Sequence, residues 1–205
     1  QVFAEKTCEI RVSEITNSLD DDGVTKLVSG NTHRITMFWD ASCADTACVN
    51  YAPSIALTMW SPDGAQWNHL QGAVTPAWKQ FEFGQTFINH FYLDSTQWLL
   101  EDPATGPCRG NVGDSVAVLW ATVAIFKGLT GGYTGDLTTL EFQSSEADKG
   151  KHICIDTVRV PGGTWGWWNA SCGHIIPEWN VQTCYQIVAP VEPVAPAAIE
   201  DLGGN

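Results

Sequence analysis

Short runs of alternating apolar and polar residues, each closed by a Gly, Pro, Asp or Asn cluster, set the tightest constraint on what this chain can fold into. A period of two sends successive side chains to opposite faces of a strand, so each run can bury one face and wet the other. Cys8, Ile10 and Val12 alternate with Glu9, Arg11 and Ser13, and Ile35, Met37 and Trp39 alternate with Arg34, Thr36 and Phe38. Ile55 to Trp60 ends at Ser61-Pro62-Asp63-Gly64, a strong turn signal. Trp78 to Phe83, Ile88 to Leu93, Leu137 to Gln143, His152 to Val160 and Val181 to Val188 read the same way. Ser115 to Phe126 is apolar on both faces, which places it centrally in a sheet. The pattern predicts an all-β chain of about nine strands, an antiparallel β-sandwich of immunoglobulin-like kind. No helical period stands out, and Asp94 to Leu100 offers one short helical turn. Glu101–Asp114 and Pro161–Asn180 read as long irregular segments.

The body of that sandwich is expected to span residues 1–188, with an extended Pro/Ala-rich tail over 189–205. The tail favours a polyproline-type backbone and cannot close a core of its own. It is expected to dock on the body of its own domain or on a neighbouring subunit.

Hydrophobic residues make up 44% and charged residues 16%, which excludes a disordered chain. A net charge of −13 opposes nucleic acid and anionic membrane surfaces. No apolar run approaches the roughly 20 residues that span a bilayer. Gln1 is not a translation start, so a removed signal peptide and an extracellular, secreted or cell-surface setting are expected.

Seven cysteines stand at 8, 43, 48, 108, 154, 172 and 184, with no CxxC pair and no zinc-type spacing. Disulfides are the expectation outside the cytoplasm. Cys43 and Cys48 bracket a small loop and are expected to pair with each other. Cys154 and Cys184 each sit mid-strand and can bridge neighbouring strands or sheets. Cys8, Cys108 and Cys172 remain, and an odd total leaves one thiol either buried and free or bonded to another chain.

Several clusters invite a functional reading. Four of the ten tryptophans, Trp165, Trp167, Trp168 and Trp179, crowd into Pro161–Asn180. The loop 162–169, with its leading Gly162-Gly163, is the best candidate binding surface. Its rings can line the core, contact a subunit or stack on sugars. Asn169-Ala170-Ser171 fits the N-glycosylation acceptor pattern. Asp20-Asp21-Asp22-Gly23 has the wrong spacing for a calcium loop and reads as a solvated hairpin or loop tip. His33, His69, His90, His152 and His174 lack metal-ligand spacing and read as structural. No metal and no cofactor is expected. A glycosidase would need two acids facing one cleft, with Glu82, Glu141, Asp156 and Glu178 as candidates. No catalytic motif emerges, and the chain is read as a non-enzyme.

Ser61-Pro62-Asp63-Gly64-Ala65 followed by Trp67 is one distinctive stretch. A second runs through His152-Ile153-Cys154-Ile155-Asp156, Pro161-Gly162-Gly163-Thr164-Trp165, Pro177-Glu178-Trp179 and Cys184. Together they resemble secreted bacterial cohesin-like β-sandwich modules of uncultured lineages, a largely uncharacterised group. The resemblance implies a β-sandwich, an extracellular setting and a Cys154–Cys184 bridge, and it brings no catalytic residues. Cys43, Cys48 and the tail depart from such a module.

The leading functional expectation is a structural subunit of an extracellular filament or pilus-like assembly, with copies of itself as partner. A terminal segment would add a strand to a neighbour's sheet edge. Val191, Val194 and Ile199 would fill pockets there, with residues 1–6 as the alternative donor. The alternative is a cohesin-like or carbohydrate-binding module that takes a protein or glycan ligand through Trp165, Trp167 and Trp168.

Overall fold

The alternating runs become strands where one face finds a core. The computed structural model describes residues 8–48, 51–74, 86–93, 98–101, 116–122, 128–157 and 165–191. Fifteen strands lie within them. In chain order they are β1 (Glu9–Ile15), β2 (Ser18–Asp21), β3 (Val24–Val28), β4 (Thr32–Asp40), β5 (Ala52–Trp60), β6 (Trp67–Val74), β7 (Thr86–Leu93) and β8 (Trp98–Glu101). They continue as β9 (Val116–Thr122), β10 (Thr134–Ser144), β11 (His152–Thr157), β12 (Gly166–Asn169), β13 (Gly173–Ile175), β14 (Glu178–Asn180) and β15 (Cys184–Val188). A 3-10 turn covers Glu146–Asp148.

Two sheets share these strands: a five-stranded one ordered β14-β1-β4-β10-β6, and a ten-stranded one ordered β2-β3-β15-β11-β5-β9-β7-β8, with the β12–β13 hairpin attached to β5. They face each other as a sandwich. Ile10, Ile35, Met37, Trp39, Leu140 and Phe142 of the first sheet and Ile55, Leu57, Met59, Ile153, Ile155, Tyr185 and Ile187 of the second form one buried cluster. The sandwich was legible in the alternation, and β9 holds the central place its two-sided apolar run implied, between β5 and β7.

The elements are more numerous than expected. Trp98 to Leu100, read as part of a helical turn, instead pairs with β7, Leu99 opposite Tyr92. The segment 165–180, read as irregular, holds β12, β13 and β14. The expected strand at Trp78–Phe83 lies outside the described residues. The acidic cluster is a hairpin turn joining β2 to β3: Asp22 and Gly23 take positive φ of 52° and 81°, the two-residue geometry that matches strand twist. Asp20 Oδ1 accepts from the Gly23 amide at 2.9 Å, and Asp21 pairs with Lys26. Among the described residues no group of three His, Cys, Asp or Glu gathers as metal ligands.

The disulfides correct the expectation for Cys43 and Cys48, which do not bond to each other. The bridges are Cys8–Cys43, Cys48–Cys172 and Cys154–Cys184. Register explains them. Glu9 stands opposite Asp40, so Cys8 meets the chain just after it leaves β4. Trp168 stands opposite Ala52, so the turn after β12 reaches the residues preceding β5, and Cys172 meets Cys48. Cys154 and Cys184 are directly opposite on β11 and β15. Cys108 lies outside the described residues.

Candidate binding surface

The tryptophan-rich segment is a hairpin on the rim of the second sheet. β12 pairs with β5 on one side and with β13 on the other. Gly166 permits this path. Its φ is +126°, and a Cβ there would stand 2.5 Å from both the Ile175 carbonyl oxygen and His174 Nε2. The next residues alternate. Trp167 points inward, fully buried and stacked on Trp39 with ring centroids 5.9 Å apart. Trp39 in turn donates its indole N–H to Thr138 Oγ1 at 3.1 Å. Trp168 points outward and is 54% exposed. Trp165 is half-buried edge-on to Trp179, 5.9 Å away, and its carbonyl accepts from His174 Nε2 at 3.0 Å. Asn169 Oδ1 closes the turn by accepting from the amides of Ser171 and Cys172 at 2.8 and 3.0 Å.

The expected three-ring platform is therefore divided. Trp167 belongs to the core, because the period of two that frees Trp168 buries its neighbour. Among the described residues, Trp168 and Ile176, which is 63% exposed just past β13, are the large apolar residues offered to solvent at this end. The hairpin beneath them is clamped by Cys48–Cys172 and by the Trp39–Trp167 stack.

The remaining candidates are dispersed. Glu141 lies on β10 and accepts from Arg34 Nη2 at 2.8 Å and Nε at 3.1 Å, while Asp156 lies on β11 in the other sheet and caps the Thr157 amide at 2.6 Å. Glu178 is exposed on β14, and Glu82 lies outside the described residues. Val191 is 71% exposed, and Val194 and Ile199 lie outside the described residues. His33 is buried, its Nδ1 donating to the Thr16 carbonyl at 3.3 Å and its Nε2 accepting from Ser144 Oγ at 2.9 Å. Burial holds its pKa below the ordinary imidazole value, against the backbone carbonyls that favour the charged form. His152 donates from its amide and Nδ1 to Asp63, at 3.0 and 2.8 Å. Burial alone would raise the Asp63 carboxyl, but these bonds and one from Ser61 hold it at about 2. His69 and His90 stand on β6 and β7.

Sequence reasoning passed over the outer face of the first sheet. There the Arg11 guanidinium lies 4.1 Å above the Phe38 ring and its Nε meets Glu9 at 3.2 Å, while Asn180 donates to the same Glu9 at 3.2 Å. The polar phase of the alternating runs carried that signal, but only register shows which charges become neighbours.

No protein-family model matches the chain, and no curated protein does either. Among solved structures the similarity is to cohesin modules. The sixth cohesin of Acetivibrio cellulolyticus scaffoldin B, solved in complex with a mutant Cel5 dockerin, has a TM-score of 0.50 at 9% identity, covering 89% of this chain and 99% of that one. A type I cohesin–dockerin complex from Clostridium thermocellum gives 0.48 at 10% identity, covering 89% and 100%. A non-cellulosomal cohesin from the archaeon Archaeoglobus fulgidus gives 0.42 at 13% identity, covering 90% and 93%. At these identities the likeness shows a cohesin-like fold.

Proposed function

We propose that the chain is a protein-recognition module of the cohesin kind, working in an oxidising, extracellular or cell-surface setting. One observation carries this reading: the sandwich is shared over 89% of the chain with a cohesin solved on its dockerin. Three disulfides fit an oxidising compartment, and among the described residues no helix is long and apolar enough to cross a membrane. The contact is anchored by Trp168, an exposed indole on a cross-linked hairpin. Such a residue contributes large apolar area while losing little conformational freedom on binding. The net charge of −13 favours a partner that presents basic residues. No observation favours a polymerising filament subunit.

The test is calorimetric titration of the whole chain with purified dockerin-type domains, beside sedimentation of the chain alone. The expected outcome is a monomer that binds one of them saturably. Trp168→Ala should weaken that binding by about tenfold or more without moving the thermal transition. Fibres in the sedimenting material would overturn the reading. Affinity unchanged in Trp168→Ala would remove the hairpin from the contact.

A further inference from the structure

A second feature lies at the opposite rim of the first sheet from β14, where β10 runs into the 3-10 turn beside the start of β6. A cavity of about 520 Å³ opens there, lined by Gln66, Trp67, Asn68, Gln143, Ser145 and Glu146 among others. That size lies within the roughly 300–1,000 Å³ of small-molecule sites. We propose that this cavity binds a neutral saccharide unit.

The chemistry of the lining carries the proposal. Register sets Asn68 opposite Gln143 and Trp67 opposite Ser144, so two amide side chains stand side by side on neighbouring strands. The side chains of Gln66, Asn68, Gln143 and Glu146 make no hydrogen bond or ion pair with any described residue. Trp67 is 7% exposed and lines the cavity from the edge of the buried core cluster. An amide offers a donor and an acceptor, and a carboxylate offers acceptors. A sugar's adjacent hydroxyls each need both. Among the described lining residues none is cationic, and Glu146 adds to a chain of net charge −13, so phosphorylated, sulfated and acidic sugars are disfavoured.

The walls are fixed before any ligand arrives. Buried Asp148 accepts from the Gln66 amide at 2.7 Å and from Lys151 Nζ at 2.6 Å, and Lys151 also donates to the Gly64 carbonyl at 3.0 Å. Ser145 Oγ accepts from the Ala147 amide at 3.1 Å and starts the turn that carries Glu146. The Ser144–His33 bond anchors the end of β10 below. A site built this way loses little entropy on binding.

The experiment is an NMR titration of the full chain that follows the tryptophan indole signals. Trp67→Phe identifies its signal by the one that disappears. Probes are cellohexaose, xylohexaose and mannohexaose, with hexagalacturonate as the acidic control. At least one neutral probe is expected to shift the Trp67 indole signal with a Kd of about 1 mM or tighter. The Asn68→Ala/Gln143→Ala double variant, both positions exposed, should keep a folded spectrum and lose at least about tenfold in affinity. Trp168→Ala should leave this binding unchanged, which separates it from the protein-recognition reading. The proposal is overturned by silence from every neutral probe at about 10 mM, by an equal response to hexagalacturonate, or by undiminished binding in the double variant.

Discussion

His33 and Gly166 show how much single residues hold. Burial keeps the His33 imidazole neutral in the folded chain, with its pKa below the unfolded value. Below a pH of about 6.5 the unfolded chain therefore takes up a proton that the folded chain refuses. The stability present above that pH is lost as pH falls toward the folded pKa. Thermal melting should lose more between about pH 7 and about pH 5 in the natural chain than in His33→Gln, and equal slopes would remove His33 from the effect. Gly166 does not tolerate an L-residue, because its φ is +126° and the Ile175 carbonyl oxygen would stand 2.5 Å from a Cβ. Gly166→Ala should cost about 2 kcal/mol or more in urea unfolding. Neither role was visible in the sequence. His33 gives no spacing signal, and nothing in the sequence sets Gly166 apart from Gly162 and Gly163.

At the scale of elements, the hairpin of β12 and β13 separates two tryptophans that the sequence presents as equals. Trp167→Ala should cost roughly 3–5 kcal/mol, since it empties a core position against Trp39. Trp168→Ala should stay within about 0.5 kcal/mol. Denaturant midpoints of the two variants check the contrast. The run reads as a loop because its alternation covers only the few residues from Gly166 to Asn169, among glycines. β5 supplies the missing information by pairing with β12. The β2–β3 hairpin was half legible: Asp22-Gly23 marked the turn, but Ser18 to Val28 carries too few apolar residues to announce its strands. By contrast β1, β4, β5 and β10 were readable directly, because each is long and buries one face.

Across the whole molecule, the disulfides tie distant parts of the chain. Cys48–Cys172 joins residues 124 apart in sequence, and Cys154–Cys184 joins residues 30 apart. Cross-linking restrains the unfolded chain more as the closed loop lengthens. Replacing Cys48 and Cys172 by Ala should destabilise the fold by roughly 1 kcal/mol more than replacing Cys154 and Cys184. Urea unfolding of the two double variants measures the difference. The reverse order would show that local packing around the β11–β15 bridge outweighs loop entropy.

The sequence by itself determined the all-β class, the sandwich, the central place of β9 and the oxidising chemistry of the cysteines. Each of these follows from local period or composition, which tertiary contacts do not alter. Only the tertiary structure decided that Cys8 meets Cys43 and Cys48 meets Cys172, which of Trp165, Trp167 and Trp168 faces water, and that Gln66, Asn68, Gln143 and Glu146 line one cavity. Those outcomes depend on strand register, which a shift of one residue reverses for every side chain on the strand. Register is set by the joint burial of both sheets, and no single run of the sequence contains it.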